Sequence, residues 1–264
     1  PAGGGLKPNP WTFRTVAAVI DSAPLAINLG KAASFGIASY AGMTSTGVTV
    51  VNGDVALYPN ATCTDSTGNL GASRTCLSQI YSSPTGMTVN GLIYWAADPY
   101  DSGVTALAVT TDLNKAWVEG KNKVDTKGAI AANELGGNTF YPGVYHNANL
   151  GLAAGQTVIL DAQGDANAIF IFKIDSTFVD SGTTLLPSTV QLANKAQARN
   201  IWFVAGLDIT IGSGTKWNGN ILAGRSATVN NGSTVIGRVL AGASGAGALV
   251  LTGDASSTTT VTVP

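Results

Sequence analysis

The sequence predicts a mainly-β solenoid of triangular cross-section with one α-helix packed alongside, and three observations predict it. First, a repeat of 18 residues runs through the C-terminal half, where Ala205-Gly206 recurs as Ala223-Gly224 and Ala241-Gly242. In the same register Phe203, Ile221 and Val239 align, as do Val204, Leu222 and Leu240; Gly214 aligns with Gly232 and Trp217 with Val235. Matched glycines at so short a period mark stacked coils instead of helical repeats. Second, each repeat holds three short alternating segments, at 219–223, 225–229 and 233–236 in the middle one. Three strands per coil give three flat faces, with successive side chains turned alternately in and out. Third, charged residues are only 11% of the 264, beside 33 glycines and 45% hydrophobic residues. That is too apolar for disorder and too poor in charge for an ordinary domain surface.

The elements follow in chain order. Residues 1–24 are Pro/Gly-rich with a short apolar patch from Val16 to Ile20. The patch is too short for the apolar region of an intact signal peptide, so a processed mature chain or a loosely attached arm is expected. Residues 25–264 are expected to form one domain. Val50-Val51-Asn52-Gly53 and Val89-Asn90-Gly91 echo the turn Trp217-Asn218-Gly219, which places early strands in the same solenoid. Cys63 and Cys76 lie in a stretch rich in Thr, Ser, Asn and Gly, and a local disulfide in an oxidising compartment is expected. Closing so short a loop contributes roughly 3 kcal/mol on the chain-entropy model. From 99 to 120 the apolar residues Ala106, Val109, Leu113, Ala116 and Trp117 follow helical spacing, and Gly120 with Lys121 suits the C-terminal end. Looser coils follow at 143–145, 149–152, 157–160, 169–174 and 183–186.

Strand parity assigns the faces. On the first, Phe203 and Ala205 point inward, which sends Trp202, Val204, Leu222 and Leu240 outward. Such a row is sticky when exposed, so the helix is expected to dock on it, each side chain worth roughly 2 kcal/mol on burial. On the second face the outward positions read Gly42 and Thr44, Asn149 and Gly151, Asp208 and Thr210, Ser226 and Thr228, Ser244 and Ala246. Ser176 belongs to the same face, in a coil one or two residues short. The third face carries Thr49, Thr88, Thr157, Thr184, Lys216 and Thr234 beside larger Val, Ile and Leu neighbours. The second is the flatter.

Several chemistries are disfavoured. Net charge is −1 with no basic patch, which argues against nucleic-acid binding. No run of about 18 apolar residues offers a membrane span. The two cysteines with the lone His146 do not make a zinc site, and no cofactor or metal is expected. Glycoside cleavage needs two facing carboxylates. The pairs Asp161 with Asp165 and Asp175 with Asp180 read as solvated turns, and His146 reads as a surface residue outside any triad. The glycine-rich run at 242–247 does not open a helix with a lysine, so no phosphate loop is implied. No catalytic residue is expected.

Five stretches in order resemble the microbial ice-binding family with an irregular right-handed β-helix and a companion α-helix. They are Val51-Asn52-Gly53-Asp54-Val55, Asp112-Leu113-Asn114-Lys115-Ala116-Trp117, Glu134-Leu135-Gly136-Gly137-Asn138-Thr139 with Pro142-Gly143-Val144-Tyr145, Ala198-Arg199-Asn200-Ile201-Trp202-Phe203, and Gly237-Arg238-Val239-Leu240-Ala241. The resemblance spans roughly Leu25 to Val263. It implies a right-handed coil whose N-terminal strands close one end, so that coils do not stack in chain order. It implies ice binding by the second face. The chain is expected to act as a monomer, secreted or at the cell surface, with the periplasm as an alternative. Residues 58–85, with the cysteine pair, look like a disulfide-containing capping insertion that many members lack. A polysaccharide-active β-helix enzyme and a surface adhesin module are the alternative readings.

Overall fold

The computed structural model of the chain describes residues 26–65, 86–254 and 256–264. The expected arm at 1–24, most of the 58–85 insertion and Cys76 lie outside the described residues.

Among the described residues, three parallel sheets of eight, seven and eight strands wrap one core, and successive strands of the chain pass from one sheet to the next. Aromatic and aliphatic side chains stack in register down the inside of the first face. Tyr145, Phe172 and Phe203 sit on successive strands with ring centroids 5.2 and 4.9 Å apart. The ladder continues through Ile221, Val239, Ile37, Val55 and Ile93. Parallel stacking repeats each contact in the next coil, which is why the 18-residue period carries matched apolar positions. The repeat's glycines answer to the corners. Gly237 has φ 155°, and a Cβ there would lie 2.0 Å from the Gly219 carbonyl oxygen of the neighbouring coil.

The stacking order departs from the chain order as the resemblance implied. Phe35–Ser39 pairs with Val239–Ala241, and Asp54–Leu57 then Ile93–Trp95 extend the stack beyond it. The N-terminal strands thus close the end that the C-terminal coil would otherwise leave open. The junction is tied by Arg238, a largely buried guanidinium that donates to the carbonyl of Ala33 and to Asn220 Oδ1.

The helix runs Val104–Asn122, a few residues later than its spacing predicted. The reason lies at its start. Asp101 accepts the amides of Gly103 and Thr105, and Gly103 takes φ 79°, so the segment before Val104 is a capping turn. Val109, Leu113 and Ala116 pack on Trp202, Val204, Leu222 and Leu240, so the helix covers the apolar outer row of the first face. Trp117 donates its indole N–H to the Ala205 carbonyl at 2.8 Å, and Asn114 donates to that of Ala243 at 2.7 Å.

The capping loop is the part of the expected fold class that needs correction. Cys63, whose expected partner Cys76 lies outside the described residues, does not sit in a polar loop. It opens the strand Cys63–Asp65 at the edge of the second sheet, aligned with Met43 and wholly buried in the core. Strand alternation turns it inward beneath two outward threonines, which accounts for the polar look of its surroundings in the sequence. The architecture is mainly β with parallel sheets and one packed helix.

Candidate functional site

The second sheet presents one ladder of outward residues in continuous register: Gly151, Val179, Thr210, Thr228, Val250, Thr44 and Thr64. The rungs from Gly151 to Thr44 each sit between two inward neighbours, such as Ile209 and Ile211 around Thr210, or Ala227 and Val229 around Thr228, all buried in the core. The outward side chains therefore cannot rotate into the interior, and their spacing is set by the backbone. Adjacent rungs lie about 4.8 Å apart and same-face neighbours along a strand about 6.7 Å apart.

Two residues upstream, a second column holds Asn149, Thr177, Asp208, Ser226, Ala248, Gly42 and Thr62. Ladder hydrogen bonds between the strands fix its register: the amides of Leu150, Ile209, Ala227 and Met43 donate to the carbonyls of Thr177, Ser226, Ala248 and Thr62. Thr46 and Thr252 pair two residues downstream and begin a third column.

Of the residues expected on this face, Thr44, Gly151, Thr210 and Thr228 fall on the central ladder, and Asn149, Asp208, Ser226 and Gly42 on the upstream column. Gly42 contributes no exposed surface: it is buried, and a Cβ there would meet the Thr62 carbonyl oxygen at 2.6 Å. Ser176 is displaced by one residue, since Phe178 aligns with Leu150 and turns inward, leaving Thr177 and Val179 outside. Ser244 and Ala246 are not on the face. Thr228 pairs with Val250, 22 residues on instead of 18, and the extra residues form a glycine-rich turn with positive φ at Gly242, Gly245 and Gly247. In that turn the Ser244 hydroxyl donates to the Gly224 carbonyl at 2.6 Å. The alternation of Leu249-Val250-Leu251-Thr252 carried the true strand, and the repeat period alone misplaced it. Thr62, Thr64 and Thr252 lie in polar stretches beside a cysteine or near the C-terminal run, which read as loop, and Thr46 continues the strand of Thr44.

One charged pair interrupts the upstream column. Arg225 donates through Nε to Asp208 Oδ1 at 2.9 Å and through Nη2 to Oδ2 at 2.5 Å, and the Ser226 amide also donates to Oδ1. The Arg225 hydrogen bond, against the opposing effect of burial, holds the Asp208 carboxyl below the usual carboxylate range. The pair staples two adjacent coils beside the central rungs Thr210 and Thr228.

The third face differs. Its outward ladder reads Thr157, Thr189, Lys216, Thr234, Thr260, Val50 and Thr88. Lys216 stands exposed in the middle, and a depression of about 240 Å³ opens among Lys216, Asn218, Thr234 and Ile236. Thr49 points inward, where its hydroxyl pairs with Ser45 Oγ at 2.8 Å, and Thr184 lies outside the strands. The corner between the second and third faces is held by Asp180. This buried carboxylate accepts the amides of Gly182 and Gly212 and the Thr215 hydroxyl at 2.9, 2.8 and 2.5 Å.

The residues weighed for catalysis sit elsewhere. Asp161 and Asp165 accept local amides in turns. His146 lies on the first sheet, 3.1 Å from Asp125 and 2.9 Å from Asp175, with Lys173 and Lys121 completing an ion-pair cluster at the helix C-terminus. Among the described residues, no group of three metal-ligating side chains converges, and no helix is long and apolar enough to cross a membrane.

Comparison with known proteins gives this architecture its relatives. The family model described as ice-binding-like matches residues 37–255. An ice-binding protein of a Nostoc species is 32% identical over 198 residues, covering 74% of this chain and 61% of that protein. Ice-binding protein 1 of Shewanella frigidimarina is 30% identical over 227 residues, covering 80% of this chain and 24% of that protein. The chain thus spans under two thirds of either relative's length. The crystal structure of an ice-binding protein from the Antarctic ascomycete Antarctomyces psychrotrophicus superposes with a TM-score of 0.70 at 28% identity, over 90% of this chain and 98% of that one. One from an Antarctic biological consortium gives 0.72 at 27% identity, over 90% and 91%. With its parallel three-sheet coil, its docked helix and a family match over most of its length, this chain belongs to the ice-binding-like family.

Proposed function

We propose that this chain adsorbs to ice through its second face and acts as a non-enzymatic antifreeze protein. The observation that carries the reading is the seven-rung outward ladder, which holds four threonines and no charged side chain, whereas the third-face ladder holds five threonines but is interrupted by Lys216. Threonine has a stiff χ1 and presents a hydroxyl and a methyl from one Cβ. Repeated at a fixed spacing, the hydroxyls can anchor ordered water while the methyls, with Val179 and Val250, disfavour bulk-like hydration. Each contact is weak, and their sum suffices because the scaffold is already ordered and little entropy remains to be lost. A bound molecule pins the advancing crystal surface, which must then curve between anchors and grows only at a lower temperature.

The third face supports the choice by contrast, since Lys216 and the adjoining depression break its plane. The site residues of this reading are Thr44, Thr64, Gly151, Val179, Thr210, Thr228 and Val250, flanked by Thr62, Asn149, Thr177, Ser226 and Ala248. Residues 25–264 act as one domain in this reading, in an extracellular setting where ice forms. The 24% coverage of the Shewanella protein favours a second use of the same face, as one module of a larger surface protein that tethers a cell to ice. Nanolitre osmometry tests the main reading: a gap between melting and freezing with faceted crystals is expected, and round crystals without a gap at millimolar protein refute it.

A further inference from the structure

We propose that Asn60 is an acceptor for an N-linked glycan when the chain passes through a secretory pathway that holds an oligosaccharyl transferase. Two Asn-x-Ser/Thr sequences occur in the chain, Asn60-Ala61-Thr62 and Asn231-Gly232-Ser233. The structure separates them. Asn60 and Thr62 are both exposed, and Asn60 Oδ1 accepts the Thr62 amide at 2.9 Å and the Thr62 hydroxyl at 2.7 Å. Both bonds engage the carboxamide oxygen, and among the described residues no acceptor takes Nδ2. This turn is built from atoms two residues apart, so it can form in the nascent chain as readily as in the folded one.

The second sequence is closed. Asn231 Nδ2 donates to Asp254, its Oδ1 is buried, and Ser233 is wholly buried with its hydroxyl on the Gly212 carbonyl at 2.5 Å. A sugar on Asn231 would displace Asp254 and open the coil, whereas one on Asn60 disturbs no contact that its side-chain nitrogen makes to the described residues.

The reaction needs one co-reactant, a lipid-linked diphosphate oligosaccharide. Asn60 Nδ2 attacks C1 of its first sugar as the C1–O bond to the diphosphate breaks. The lipid diphosphate leaves with the electron pair, and one amide proton passes to the transferase. No electrons are exchanged with any redox partner. The site lies beside Thr62 at the edge of the second face, away from the central Thr228, and the modification is read by mass, so its test is independent of the ice reading.

The test is secretion of the full chain from a yeast host, followed by intact mass and peptide mapping before and after peptide N-glycosidase. The expected result is one glycan per chain, its enzymatic removal leaving Asp at position 60. T62A should abolish the modification, T62S should retain it, and N231Q should leave it unchanged. A secreted wild-type chain at bare polypeptide mass, or a glycan carried only at Asn231, overturns the proposal.

Discussion

Replacing Thr228 by tyrosine puts the largest single perturbation at the centre of the proposed ice face, because Thr228 is the fourth of seven rungs. Six steps of about 4.8 Å make the ladder about 29 Å long. Ice is a rigid plane and cannot fold around an obstacle. A tyrosine ring stands several ångströms proud of the threonine level, and a gap of about 0.5–1 Å already forfeits a quarter to a half of a van der Waals contact. The rungs of Thr210 and Val250 on either side therefore lose their contacts with it, leaving two short, separated end pieces. The T228Y variant should keep less than half of the freezing-point gap in nanolitre osmometry at matched concentration. The fold should be unaffected: Thr228 is half-exposed, tyrosine suits strands, and a surface change of this kind moves stability by about 0.5 kcal/mol or less. Thermal unfolding is the control. An undiminished gap with an unchanged unfolding midpoint refutes the assignment of this face.

Other outcomes follow from the same geometry. T234Y on the third face should leave the freezing-point gap intact, and loss of activity there would move the site. Leu113→Ala removes a buried helix side chain from the first face and should cost about 2–5 kcal/mol in denaturant unfolding. Asp180→Ala strands three buried donors at the corner of the second and third faces and should cost about 3 kcal/mol or more by the same assay. Asp208 has a folded pKa depressed below its unfolded value of about 3.9, so its contribution is complete above that pH and is lost as pH falls through the folded value. R225A should flatten that acid limb of the unfolding curve while leaving the alkaline side unchanged; an identical acid limb in the variant would rule out the pair as its source.

The sequence alone determined whatever depends on near neighbours. Alternation within a strand is a local property, so Phe203 inward and Trp202 outward could be read directly, as could the apolar stripe of Val109, Leu113 and Ala116 that covers Trp202. The matched repeat aligned Phe203, Ile221 and Val239, because stacked coils impose the same packing on each. Tertiary structure decided the register between distant coils. Phe35–Ser39 lies beside Val239–Ala241, some two hundred residues away in the chain, through an apolar ladder and the Arg238 staple that no local pattern encodes. It also decided that Val250, and neither Ser244 nor Ala246, continues the face beyond Thr228, since inward Leu249 and Leu251 fix that strand and the glycine turn absorbs four extra residues. The face is continuous only because these remote strands are packed side by side, and that packing energy is collected across the whole stack instead of along the chain.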